Sequence, residues 1–189
     1  MTRGEALKTA ASAKMVAGCH EALHRLPIAL TVADLNLPDA PIVVANAGFC
    51  TLSGFGEADV LGRNCRFLQG PHDNTEARAH LRHAISQRRS LQTILINRRA
   101  DGRDFHNLLA IKPVISVTHG IALVIGAQFD LRASELPMSY PAGPHQSDED
   151  VLPHLDEARR TALATRRIML DVAMTSVQRV LTETTSRGH

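Results

Sequence analysis

The densest chemical signal in the chain is the string Gly62-Arg63-Asn64-Cys65-Arg66-Phe67-Leu68-Gln69-Gly70, where one thiol stands among two amides and two guanidinium groups. A thiol can serve as nucleophile or metal ligand, but those roles need a partner base, a second thiol or a cation. The string holds no histidine and no second cysteine. His72 and His80 follow nearby, where histidines are ordinary surface or cap residues. The cysteines, Cys19, Cys50 and Cys65, include no pair with metal-site spacing and are too few for a disulfide framework. Read from the residues alone, the stretch is a polar pocket with a single thiol, and a cysteine in such a stretch is usually just a small buried residue.

The elements around the string follow from periodicity. Residues 5–26 read as a helix, because Met15, Cys19, Ala22 and Leu26 recur on one face and Pro27 stops it. Short β-rich runs follow at 28–33, 41–45, 91–97, 105–117 and 120–131, separated by turn chemistry such as Asp101-Gly102 and His119-Gly120. Between the second and third runs lie short helical pieces and one longer helix, 74–88, with Ala77, Leu81, Ala84 and Ile85 on one face. Two strands, several helices and a three-stranded meander make an α+β arrangement, an antiparallel sheet with its helices on one side. The expected organisation is an N-terminal helical extension (1–27), a core (28–131), a linker (132–147) rich in Pro, Gly and Ser, and a C-terminal helical extension (148–189). In the last segment Leu163, Leu170 and Val177 repeat every seven residues, joined by Met174 and Leu181. A dimer seam and a helix docked on its own domain account for that pattern about equally.

Composition excludes several classes. Five Phe, one Tyr and no Trp leave a core built from aliphatic side chains. The net charge of +2 gives no argument for nucleic acid or an anionic membrane. The arginine pairs at 159–160 and 166–167 are interspersed with Asp156, Glu157 and Asp171, as on a solvated helix face. No apolar run approaches the roughly 18 residues that span a bilayer. The expectation is a cytoplasmic protein.

The Asn-Cys-Arg-Phe-Leu-Gln string resembles the flavin-binding signature of LOV (light, oxygen, voltage) domains, a branch of the PAS fold. The resemblance extends over residues 28–131 through Ala33-Asp34, Leu37-Pro38-Asp39-Ala40-Pro41-Ile42, Asn46 to Gly54, Val60-Leu61-Gly62, Asn97, Asp101-Gly102, Phe105, Asn107-Leu108, Pro113-Val114 and Gly126-Ala127-Gln128, in the family's order. It implies the PAS/LOV fold, with a five-stranded antiparallel sheet. It also implies that flavin mononucleotide (FMN) is held without a covalent link in the dark, and that blue light joins the Cys65 thiol to the flavin. Arg66 and Arg82 match the positions that hold the phosphate, and guanidinium forks suit one. Asn64, Gln69, Asn97 and Asn107 match the amides that read the polar flavin edge, each offering both a donor and an acceptor. Gln128 matches the glutamine whose amide turns when the neighbouring flavin nitrogen changes from acceptor to donor.

The chain also departs from the family pattern. Arg98, His106 and Val124 stand where Tyr, Trp and Phe are common, and Asp59 with Ala100 cannot form the family's surface Glu–Lys bridge. The tail carries no nucleotide-binding glycine motif and is too short for a kinase domain. The resemblance therefore points to a sensor without enzymatic activity, signalling through its helical extensions and sheet face as a homodimer or toward an unknown partner protein. A light-independent PAS interaction module, with flavin as a structural or redox ligand, is the alternative.

Overall fold

The computed structural model describes residues 3–116 and 121–131, together with helical residues 164–166, 168, 169, 171–173, 175, 176 and 179. The linker at 132–147 and the heptad positions Leu163, Leu170, Met174, Val177 and Leu181 lie outside the described residues.

Strands β1 (Ala29–Asp34), β2 (Ile42–Ala45), β3 (Leu91–Arg98), β4 (Asp104–Ser116) and β5 (Ile121–Leu131) form one sheet in the order β2-β1-β5-β4-β3. All neighbours are antiparallel, as the α+β reading expects. The first and last strands of the core thus meet at the centre, with Ala29 opposite Gln128 and Thr31 opposite Gly126. Side chains alternate between the two faces, so the sheet presents two distinct surfaces.

On one face Leu30, Val32, Val44, Ala110, Leu123, Ile125 and Ala127 pack against Met15, Cys19 and Leu23 of α1 (Arg3–His24). Ala173 of the C-terminal helical residues is buried in the same cluster. The four-residue step of Met15, Cys19 and Leu23 is the apolar stripe of an amphipathic helix. It differs slightly from the expected face, because α1 stops at His24 and Leu26 lies beyond its end. The terminus is fixed by the buried Asn46 amide, which donates to the carbonyls of Leu23 and Ile28 at 3.1 and 2.7 Å. Its oxygen accepts from the Leu30 and Phe49 amides, both at 2.9 Å. One side chain therefore joins the end of α1, the start of β1 and the N-cap of α2 (Ala47–Ser53).

The opposite face carries the core helices. Phe49 of α2 and Val60 of α3 (Glu57–Val60) pack with Leu68 on Ala29 and Ile42. Helix α4 (Thr75–Ser86) lays Ala77, Leu81, Ala84 and Ile85 against Leu91, Leu95, Leu109, Ile111 and Val124. The expected apolar face of α4 is the observed one. The helix ends two residues early because Arg88 adopts a left-handed backbone and the Arg89 amide donates back to Ala84 at 2.8 Å. Between α3 and α4 the thiol string forms a 3₁₀ helix, Cys65–Gln69.

Candidate functional site

The 3₁₀ helix and α4 stand off the central strands and enclose a cavity of about 220 Å³. Its walls divide by chemistry. Ile42, Leu81, Ile85, Leu95, Leu109, Ile111 and Val124 make an apolar slot, and Asn97, Asn107, Gln69 and Gln128 present amides. Arg66, Arg78 and Arg82, all exposed, supply cations. Every residue expected to bind cofactor lines this one cavity: Asn64, Cys65, Arg66, Gln69, Arg82, Asn97, Asn107 and Gln128.

Strand register explains how distant residues converge. Leu95 pairs with Asn107 and Asn97 with Phe105, so the two asparagines sit one step apart on the same face of the β3–β4 ladder. Asn107 lies opposite Asp130 of β5, and Gln128 opposite Leu109, so the glutamine belongs to that face as well. The three are buried, yet Asn97 Oδ1, Asn107 Oδ1 and Gln128 Oε1 have no hydrogen-bond partner. An amide oxygen left unpaired inside a protein costs about 1–3 kcal/mol. Three such acceptors converge on one slot, and each amide has a donor end as well, as the mixed donor and acceptor edge of a polar heterocycle would require. Together with the apolar walls and the cationic rim, they fit a flavin nucleotide.

Two of these residues also bond outside the slot. Asn64 caps the 3₁₀ helix by accepting from the Arg66 amide at 3.0 Å, and its Nδ2 donates to the Asp39 carbonyl at 2.5 Å. Arg66 Nη1 pairs with Asp39 Oδ1 at 2.5 Å, and both side chains are exposed. The sequence reading missed that competitor. It also missed Arg78, which lies one turn before Arg82 on the same face of α4, a spacing that i,i+4 geometry could have signalled. Thr31 was missed too; its Oγ1 accepts from Gln128 Nε2 at 3.1 Å.

Burial pushes the Cys65 thiol up to about 11, with a hydrogen bond from Thr31 acting in the opposite direction. Near neutral pH the group is a protonated thiol. Neither His72 nor His80 lines the cavity, so no imidazole base faces Cys65 among the described residues. His72 instead lies 2.9 Å from Asp104, which also receives Arg98 at 2.8 Å, and these two hold the Asp104 carboxyl down at about 2. Arg98, unusual in the pattern, is thus part of a surface ion cluster. Val124 does line the slot. In place of the bridge that Asp59 and Ala100 cannot make, Arg99 pairs with Asp130 at 2.5 Å and donates to the Leu52 carbonyl, joining the β3–β4 hairpin to β5 and α2.

Comparison with known proteins places the chain in a family. A family model described as a PAS domain matches residues 28–133. Phototropin-2 of Oryza sativa is 37% identical over 131 residues, which cover 63% of this chain and 14% of that protein. Blue-light-activated histidine kinase 2 of Erythrobacter litoralis is 37% identical over 117 residues, covering 62% of this chain and 34% of the relative. The chain therefore spans about a third or less of these two relatives. Among solved structures, the Rhodobacter sphaeroides LOV protein superposes with a TM-score of 0.60 at 30% identity, covering 94% of this chain and 99% of that one. The chain belongs to the PAS family, in its LOV branch. No described helix is long and apolar enough to cross a membrane.

Proposed function

We propose that the protein is a blue-light sensor that holds FMN non-covalently in the slot between α4 and the central strands. The observation carrying this reading is the convergence of three unpartnered buried amide oxygens with a protonated thiol in one apolar cavity. When bound, the excited flavin supplies the reactivity, and a reversible bond between Cys65 sulfur and the flavin ring is the expected photoproduct. The chain's own contribution is placement. Asn97 and Asn107 offer an acceptor for the ring N–H and amide donors for the carbonyls beside it, and Gln69 adds a further amide. Leu95, Leu109, Ile111 and Val124 exclude water from the ring, and Arg66, Arg78 and Arg82 provide charge for the phosphate. Gln128 can present either amide end, so a proton gained nearby is read as a turned side chain within β5.

Output through the helical extensions is part of the same proposal. β5 carries Gln128 on one face and packs Leu123, Ile125 and Ala127 against α1 on the other. Ile168 and Val172, one turn apart, are 65% and 49% exposed, an apolar edge suited to a second copy of the chain. We read the protein as a non-enzymatic homodimeric sensor, and its free thiols suit the reducing cytoplasm. The test is absorption of the purified protein. A yellow chromophore that bleaches under blue light and returns in darkness is expected, and a colourless protein, or one whose colour light leaves unchanged, refutes the reading.

A further inference from the structure

Thr31 has no role in the reading above, although it sits where the thiol and the glutamine meet. Among the described residues lining the cavity it is the only one bearing a hydroxyl. It is buried in the middle of β1, between Ala45 of β2 and Gly126 of β5. Its Oγ1 accepts from Gln128 Nε2 at 3.1 Å, and Cys65 lines the same cavity, where the Thr31 hydroxyl pulls the thiol's pKa down as a donor to sulfur would. The space for this meeting is kept by Gly126. A Cβ there would stand 3.0 Å from Gln128 Nε2 and 3.1 Å from Thr31 Oγ1.

A threonine hydroxyl has one hydrogen and two lone pairs. While a lone pair takes the Gln128 N–H, the hydrogen is free for the sulfur. If the amide turns its oxygen toward Thr31, the hydrogen must serve that oxygen and leave the sulfur. Gln128 Oε1 has no other partner among the described residues, so the exchange displaces no existing bond to that oxygen. Valine would fill the same volume and do neither.

We propose that Thr31 is a positioning residue that ties the state of Cys65 to the orientation of the Gln128 amide, giving its single hydrogen either to the sulfur or to the amide oxygen. Its place in a light cycle rests on the flavin reading; its contact with the thiol does not. Two measurements on the full chain test it, using Thr31→Val and Thr31→Ser. The first is iodoacetamide alkylation of Cys65 in darkness at pH 9, resolved by peptide mass spectrometry with Cys50 as internal control. Thr31→Val should slow Cys65 alkylation at least about threefold, and Thr31→Ser should leave it near wild type. The second is the dark-recovery rate after a blue pulse, measured for Thr31→Val alone and in a Gln128→Leu background. The valine should change the rate at least about threefold alone and have little effect once the amide is gone. Unchanged alkylation, or the same rate factor in both backgrounds, overturns the proposal. A wild-type protein without flavin absorption overturns the photosensor reading and the coupling with it, while the alkylation ratio still reports the contact between Thr31 and Cys65.

Discussion

Arg66 and Asp39 offer a test in which two substitutions should move flavin affinity in opposite directions. A charge-assisted hydrogen bond to a phosphate contributes roughly 1.5–3 kcal/mol. Among the described residues Arg82 pairs with no carboxylate, so its truncation should cost that full amount. Arg66 is different, because it already holds Asp39 at 2.5 Å with both side chains exposed. An exposed pair of this kind is worth about 0–1 kcal/mol. The phosphate gains only the surplus, roughly 0.5–3 kcal/mol, from Arg66. The double variant Arg66→Ala/Arg82→Ala should therefore weaken FMN by about 2–6 kcal/mol, or from about thirtyfold upward, at 1.4 kcal/mol per tenfold. Riboflavin, which has no phosphate, should lose little. Asp39→Asn should instead tighten FMN by up to about fivefold, since it frees Arg66 and removes a negative charge from the rim. Asparagine tolerates the positive φ of 66° that Asp39 adopts, so the turn should survive. Titration of unfolded-and-refolded protein with each flavin, followed by fluorescence quenching, reads both effects. Equal losses for FMN and riboflavin, or weaker FMN binding in Asp39→Asn, would refute the assignment of this rim to the phosphate.

Four further outcomes are expected. Cys65→Ala should retain flavin and lose the reversible bleach, whereas Cys50→Ala should keep both, as absorption spectra will show. Asn46→Ala removes acceptors for two amides and donors to two carbonyls inside a buried junction, and should destabilise the fold by about 2–4 kcal/mol in urea titration. The Asp104 carboxyl is held below its unfolded value, so its contribution is present above about pH 4 and lost as pH falls through about 2. Asp104→Asn should flatten that acid limb of the stability curve. Deleting residues 145–189 should reduce any difference in oligomeric mass between dark and lit protein while leaving the bleach intact; size-exclusion chromatography with light scattering would read it.

The strands and α4 were legible because their signals are local: β-rich runs bounded by turn residues, and an apolar face at helical spacing. The apolar stripe of α1 was equally visible, but its partner was not. Nothing in residues 5–26 says that Met15 and Cys19 will cover the sheet face opposite α4. The site was legible only through the ordered family string, since Asn64, Asn97, Asn107 and Gln128 share no local pattern that would bring them together. Thr31 stayed hidden for the same reason. Alternation places Ala29, Thr31 and Ala33 on one face of β1, but the partner Gln128 lies 97 residues away, and only the β1–β5 register brings them together. Asp39 was invisible as a competitor for Arg66 because the turn carrying it depends on left-handed backbone at Asp39 and Ala40. Such torsions are not written in residue type for non-glycine positions.

Asn46 grips α1 at its C-terminal end through the Leu23 carbonyl, ties it to the Ile28 carbonyl at the entrance of β1, and leaves the opposite end of the helix free of that clamp. The helix is thus a shaft whose angular setting is fixed at the sheet. An α-helix turns about 100° and advances about 1.5 Å with each residue. A module fused ahead of Arg3 through an uninterrupted helix would therefore inherit a defined compass bearing relative to the sensor, and inserting a single residue would swing it by more than a quarter turn. Two insertions would carry it to nearly the opposite side, and a third or fourth would bring it close to its starting direction. For anyone building a light-controlled fusion, residue count in that joint is the steering variable, and its response should be periodic in 3.6 rather than monotonic in length.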